Sequence, residues 1–157
     1  MPFRNIYLYY SYVINERAKA ILEFCFVETP MEQWFKKDED FDVTLKNNFM
    51  QDYIKATNNE FDNWKDNPEE CVALIMLLDQ FSRNFFRDNT KAYEQDKKCR
   101  NIVKEAVSKN YLFKLNEDKI HFLLLPLIHS EDIKDHIFGH DLVDKFLKNH
   151  LDYEKIK

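Results

Sequence analysis

Glycine and proline are scarce in this chain of 157 residues, which contains one glycine and four prolines. Tight hairpins between short strands depend on glycine and its few substitutes, because their turns require positive φ angles. A sheet with many hairpins is therefore disfavoured. Long segments instead repeat apolar residues at intervals of three and four, which is the period of an amphipathic helix. The sequence predicts an all-α fold.

Cysteine is also rare, and Cys25, Cys71 and Cys99 lie far apart and outside any CxxC pattern. Such spacing speaks against a disulfide framework or a structural zinc site. It is typical of reduced thiols in a cytoplasmic protein, so we expect a cytoplasmic location. We predict no cofactor and no metal.

Long hydrophobic runs and an excess of positive charge are both missing. Every uninterrupted apolar run, including residues 122–128, is far too short to span a bilayer, so no membrane partner is expected. The formal net charge is −5, which argues against a general nucleic-acid binder because phosphate groups need a basic surface. With 45% hydrophobic and 32% charged residues, the composition is that of an ordinary soluble domain.

One stretch, residues 71–87, is apolar on nearly every side of a helical wheel. Asn67, Pro68 and two following glutamates supply a helix start, with a capping side chain, a proline in the first turn and carboxylates at the positive end. We therefore predict a central buried helix over about 68–87.

The other segments predict helices that pack around this centre as an antiparallel helical array. Residues 1–15 are interpreted as an aromatic N-terminal extension and residues 16–157 as one helical domain. We expect Trp34 and Phe35 to fill a gap in the core, Pro126 to kink or end a helix near Leu125, and Ser130 to cap the last long helix.

Five segments of the sequence, in order, are similar to one known family. They are ILEFCF (21–26), WFKKDEDFD (34–42), FDNW (61–64), ALIMLLDQFSRNFFR (73–87) and LPLIHSED (125–132). With them the chain resembles the bacterial domain-of-unknown-function 924 family, whose fold resembles the tetratricopeptide-repeat superhelix. The resemblance implies a helical fold and a shared polar cluster, but no activity.

Several positions depart from the family pattern. Cys25 stands where the family usually has tryptophan, Ser82 where it has proline, and Ile137 and Phe138 where it has charged residues. Family members commonly continue past a segment like residues 150–157. We therefore expect this domain to be shortened at its C-terminus relative to the family.

Polar residues interrupt the second half of the central helix: Asp79, Gln80, Arg83, Asn84 and Arg87. At i,i+4 spacing Asp79 lies beside Arg83, and Gln80 beside Asn84. Charges on a central helix must be paired or must line a cleft. These residues either form a network that joins helices or bind a ligand, and Arg83 and Arg87 would then hold an anion.

A second polar group, His129, Glu131 and Asp132, follows the proline of the preceding apolar segment. The two carboxylates are explained by ordinary helix-start preferences. Alternatively, His129 is a general base or metal ligand oriented by a carboxylate, which makes these three the candidate catalytic residues. Asp132, His136 and His140 also have a spacing that fits zinc, although histidines on an exposed helix are usually incidental.

These patterns lead to a cytoplasmic binding module as the first functional hypothesis. A small anion or a peptide terminus would occupy a cleft lined by Asp79, Arg83, Arg87 and the 129–132 corner. The alternative is a hydrolase-like or metal-assisted enzyme that uses His129 with Glu131 or Asp132. A third possibility is a buried polar cluster in a protein that acts through exposed aromatic residues. Neither the ligand nor the oligomeric state follows from the sequence.

Overall fold

The computed structural model describes residues 14–156, and within that range every regular element is helical. The predicted extension at 1–15 falls almost entirely outside the described residues. Helix α1 spans Glu16–Glu23 and continues as a π-helical turn, Phe24–Glu28. A 3₁₀ turn at Met31–Phe35 precedes helix α2, Glu39–Thr57. Asn15 caps α1 and Asp38 caps α2 by accepting backbone N–H groups of the first turn.

The predicted central helix is confirmed. Helix α3 begins at Pro68–Ile75, passes through a π-helical turn at Met76–Phe81 and ends with Ser82–Phe85. The side chain of Asn67 accepts from two N–H groups at its start, as the sequence predicts. Every residue from 70 to 82 is buried, so α3 forms the middle of the core.

The second half of the described chain contains α4 (Asp96–Ser108), α5 (Glu117–Ile128), α6 (Ile133–Phe146) and the short α7 (Tyr153–Ile156). Three 3₁₀ turns, Asp62–Asp66, Thr90–Tyr93 and Tyr111–Lys114, connect the helices. Helices α5 and α6 pack closely because residue 139 is glycine: a Cβ there would lie 2.8 Å from the Cβ of Leu127. No helix among residues 14–156 is long and apolar enough to cross a membrane.

Pro126 does not end α5 near Leu125, so that half of the prediction is wrong, while a kink at the proline stays a prediction. The helix continues to Ile128, where the N–H of His129 donates to the carbonyl of Leu125 at 3.0 Å. A proline removes one helical N–H donor, and the last turn keeps its remaining bonds.

Two further local predictions are wrong. Asp132, not Ser130, caps α6: its carboxylate accepts from the N–H groups of Lys134 and Asp135, at 2.9 and 3.3 Å. Phe35 does not fill the core, since 59% of it is exposed, whereas the neighbouring Trp34 is buried and stacks on Phe81. The tetratricopeptide-like arrangement of the helices stays a prediction.

Candidate functional site

The polar residues of α3 separate into two networks. The first, which we call the Asp79 cluster, consists of Asp79, Arg83, Asp96 and His129. Nη1 of Arg83 donates to Oδ1 of Asp79 at 3.0 Å, and its two terminal nitrogens reach the carboxylate of Asp96 at 3.3 and 3.2 Å. Nε2 of His129 lies 3.3 Å from Oδ1 of Asp79. This network joins α3 to α4 and to the end of α5.

The second network, the Asp42 cluster, consists of Asp42, Gln80, Asn84 and Arg87. Nδ2 of Asn84 donates to Oδ1 of Asp42 at 2.8 Å, and Nε2 of Gln80 donates to Oδ1 of Asn84 at 3.0 Å. The guanidinium of Arg87 donates to both carboxylate oxygens of Asp42 and to the carbonyl of Lys36. This network joins α3 to α2, so the two predicted anion-binding arginines serve different helix pairs.

The carboxylates of the two clusters already neutralise both arginines. Burial lowers the pKa of Arg83, but attraction to Asp79 and Asp96 outweighs it and the pKa is raised. The pKa of Arg87 is raised chiefly by its hydrogen bond to Asp42. An anion that approaches either guanidinium meets a positive charge that a carboxylate already neutralises. Ligand binding by these residues stays a prediction.

The three candidate catalytic residues lie in different surroundings. His129 contacts the buried Asp79 and keeps 32% of its side chain exposed. Asp132 is engaged by the backbone amides of Asp135 and Lys134, and these hydrogen bonds lower its pKa. Glu131 is exposed in the turn before α6. His129 is thus brought to Asp79, a carboxylate of the central helix.

A cavity of about 590 Å³ opens between the Met31–Phe35 turn, α5 and the C-terminal residues. We call it the His121 cavity. Its polar lining residues are Glu32, His121, Asp152 and Lys155. Its apolar lining residues are Met31, Phe35, Leu125, Ile128, Leu151 and Ile156. The exposed ring of Phe35, which the sequence assigned to the core, is therefore part of the cavity wall.

His121 is the unusual residue of this wall. It is 3% exposed, and its Nδ1 has no hydrogen-bond partner among residues 14–156. The ring of Phe35 stacks on it with centroids 6.1 Å apart. Burial, with a smaller contribution from nearby His150, lowers the pKa of His121 from 6.5 to about 4. The imidazole is therefore neutral at neutral pH.

Two further ligand-type side chains lie beside His121. Nε2 of His150 lies 2.9 Å from Oδ1 of Asp118, and the N–H of Asp152 donates to Nδ1 of His150 at 3.1 Å. His121, His150 and Asp152 each offer one metal-ligand atom, and these atoms lie within 4.8 Å of one another.

The sequence-based interpretation missed this region. His121 falls inside an apolar helical segment, where a lone histidine gives no sign that it lacks a partner. The available signal was the position itself, a titratable residue on the buried side of a helix. The rings of His136 and His140, whose spacing suggested zinc, do lie close together, with centroids 4.4 Å apart. Nδ1 of His136, however, already donates to the carbonyl of Ile128.

Comparisons with known proteins place the chain in a family. A solved structure, described as a protein of unknown function, ATU0120, from Agrobacterium tumefaciens, is similar to it with a TM-score of 0.79 and 31% sequence identity. The match covers 88% of this chain and 79% of that one. No curated protein matches significantly. Residues 21–156 match the family of bacterial proteins of unknown function DUF924, and the chain belongs to that family.

Proposed function

We propose that this protein binds a small, mostly apolar molecule with one hydrogen-bonding group, and that the molecule occupies the His121 cavity. The observation that carries the proposal is the buried, unpartnered Nδ1 of His121 in the wall of that cavity. A buried polar group without a partner costs about 1–3 kcal/mol. A ligand that pairs with the imidazole accounts for its presence, and the cavity volume is in the range of small-molecule sites.

The charges around the cavity favour a neutral ligand. His121 carries no charge at neutral pH, and Lys155 lies 3.7 Å from Asp152. Glu32 adds a further negative charge to the wall. A hydroxyl group both donates and accepts, so it pairs with either tautomer of the imidazole. An apolar alcohol or phenol is thus the ligand class that fits best.

The sequence-based hypothesis, a small anion or peptide terminus at Asp79, Arg83 and Arg87, competes with this proposal. The cavity is favoured because both guanidinium groups are already held by carboxylates. Arg83→Met tests the competing site. If that variant loses stability but binds inorganic phosphate as the wild type does, the anion site at Arg83 is ruled out.

A second candidate function is acid–base chemistry at His129. Its Nε2 lies 3.3 Å from the buried carboxylate of Asp79, which can orient the ring while the exposed side meets a substrate. Hydrolysis of p-nitrophenyl esters by His129→Asn, with His140→Asn as the matched control, tests this function. Equal hydrolysis rates for both variants and the wild type would rule out acid–base catalysis by His129.

The cavity proposal is tested with two probes of equal shape, 2-naphthol and 2-methylnaphthalene, measured in the presence of a chelator. The wild type should bind the naphthol about tenfold more tightly, which corresponds to one net hydrogen bond. His121→Phe keeps an aromatic ring in place and should abolish the preference, leaving the affinity for 2-methylnaphthalene unchanged.

Filling the cavity gives an independent check. Leu125→Trp should weaken the binding of both probes, whereas Ile137→Trp on the exposed side of α6 should leave them unchanged. Equal affinities of the wild type for the two probes, or normal binding to Leu125→Trp, would contradict the proposal.

A further inference from the structure

His121, His150 and Asp152 form a compact set of metal-ligand atoms at the edge of the His121 cavity. The three atoms lie within 4.8 Å of one another, His121 is almost completely buried, and its Nδ1 is unpartnered. His121 and Asp152 both line the cavity. A buried imidazole without a hydrogen bond, next to a second imidazole and a carboxylate, is the observation that needs an explanation.

We propose that His121, His150 and Asp152 bind a divalent transition metal ion such as Zn²⁺, with one coordination position open to the cavity. Two imidazoles and one carboxylate are a common protein ligand set for zinc in sites that keep a fourth position for water or substrate. The same three ligands also suit Fe²⁺. An ion bound at Nδ1 of His121 takes the place that the hydroxyl group of the cavity ligand has in the metal-free protein, so the two partners exclude each other at that nitrogen.

The spacing requires only a small contraction. Tetrahedral zinc with bonds of about 2.0–2.1 Å places its ligand atoms about 3.3 Å apart. The widest pair of ligand atoms therefore closes by about 1.5 Å at most, given the limit of 4.8 Å. Asp152 lies just before α7, outside the long helices, and a quarter of its side chain is exposed. A change in the side-chain rotamer of Asp152 moves its carboxylate relative to the two imidazoles.

The protonation states also suit a metal ligand. A histidine must be neutral to bind a metal, and burial already keeps His121 neutral at neutral pH. Nδ1 of His150 accepts the N–H of Asp152, so its Nε2 carries the proton and donates to Asp118. Metal-bound histidines commonly donate their other N–H to a carboxylate. Asp118 is then the residue that positions His150, and the ion replaces the N–H of Asp152 at Nδ1 of His150.

The test is a titration of the purified full chain with Co²⁺ and then Zn²⁺, followed by visible absorption and calorimetry. His136 and His140 are a competing surface pair, so the titration is repeated in the His136→Asn/His140→Asn double variant. We expect one equivalent of Co²⁺ to bind with a tetrahedral spectrum in both proteins, and Zn²⁺ to displace it.

Three variants locate the ion. Asp152→Asn alters a partly exposed side chain outside the long helices and should weaken Co²⁺ binding by at least about tenfold while the thermal unfolding of the metal-free protein stays unchanged. His121→Phe should abolish binding, and Asp118→Asn should weaken it by about tenfold. Absence of a stoichiometric site in the wild type, or loss of binding only in the His136/His140 variant, would overturn the proposal.

The proposal of a metal site and the proposal of a cavity ligand are tested independently of each other. The naphthol measurements use chelated protein, so they do not depend on the ion, and Asp118→Asn, which lies outside the cavity lining, should leave them unchanged. Leu125→Trp should weaken naphthol binding and still take up Co²⁺. If only the Co²⁺ titration fails, the metal site is wrong, and if only the naphthol measurements fail, the cavity ligand is wrong.

Discussion

The Asp42 cluster and the His121 cavity both bury polar side chains, but they satisfy them differently. In the cluster, the carboxylate of Asp42 accepts from Asn84 and Arg87, and Asn84 also accepts from Gln80. At the cavity, Nδ1 of His121 has no partner within residues 14–156, although the residue is just as buried. A satisfied polar network stabilises the packing of helices, whereas an unsatisfied polar atom beside a cavity indicates a missing partner.

This difference reverses the ranking of sites that the sequence suggests. The conspicuous charged residues of α3 hold α2, α3 and α4 together, and their charges are neutralised within the protein. The inconspicuous histidine of α5 is the residue whose environment is incomplete. The following predictions test the contrast, in order of decreasing expected effect.

Removing the carboxylate of Asp42 should give the largest effect. Asp42→Ala leaves Arg87 and the buried amide of Asn84 without their acceptor, and should lower the free energy of unfolding by about 3 to 4 kcal/mol. Asp66→Ala removes an exposed partner of Lys109 and should cost less than about 0.5 kcal/mol. Urea denaturation measures both. A loss below about 1 kcal/mol for Asp42→Ala would contradict the structural role of the cluster.

The pH dependence of stability should reveal the buried His121. In the unfolded chain its imidazole takes up a proton near pH 6.5, but in the folded protein it does so only near pH 4. The unfolded state therefore binds more protons between these values, and stability present above pH 6.5 is lost as the pH falls towards 4. The loss should be about 2 to 3 kcal/mol smaller in His121→Phe. Parallel pH profiles for the two proteins would contradict the burial of a neutral imidazole.

The same substitution at pH 7 should have a sign opposite to that of Asp42→Ala. His121→Phe removes an unpartnered polar atom and keeps a ring of similar size, so metal-free protein should gain about 1 kcal/mol of stability. Urea denaturation in a chelator measures the change. A loss of several kcal/mol would show that the imidazole has a stabilising partner within the protein.

The smallest effect is expected at the cavity mouth. Lys155→Met removes an exposed positive charge that lies near Asp152. Because the proposed ligand is neutral, its affinity should change by less than about twofold, while salt has little influence on it. A large loss of 2-naphthol affinity, restored by Lys155→Arg, would indicate an anionic ligand.

Much of the fold could be predicted from the sequence because its signals are local. The capping of α3 by Asn67 and the unbroken apolar pattern of that helix need no knowledge of distant residues. The family resemblance also pointed to the polar residues of α3. Their partners Asp42 and Asp96 come from other helices, and the sequence does not show which residues of α3 they contact.

The cavity lay beyond sequence reasoning for a related reason. His121, His150 and Asp152 come from separate segments and meet only through the packing of α5 with the C-terminal residues. We expected Phe35 in the core because aromatic residues are usually buried. Its place in a cavity wall depends on the position of α5. Absence of a hydrogen bond is visible only in three dimensions.

The most direct test of the central claim is the ¹⁵N resonance pair of the His121 imidazole, recorded in chelated protein with each naphthalene probe. If a cavity ligand completes the environment of this ring, 2-naphthol should shift the resonances, while 2-methylnaphthalene binds with little change. His140, on α6, serves as the reference and should not respond. Unchanged His121 resonances with 2-naphthol bound would contradict the account.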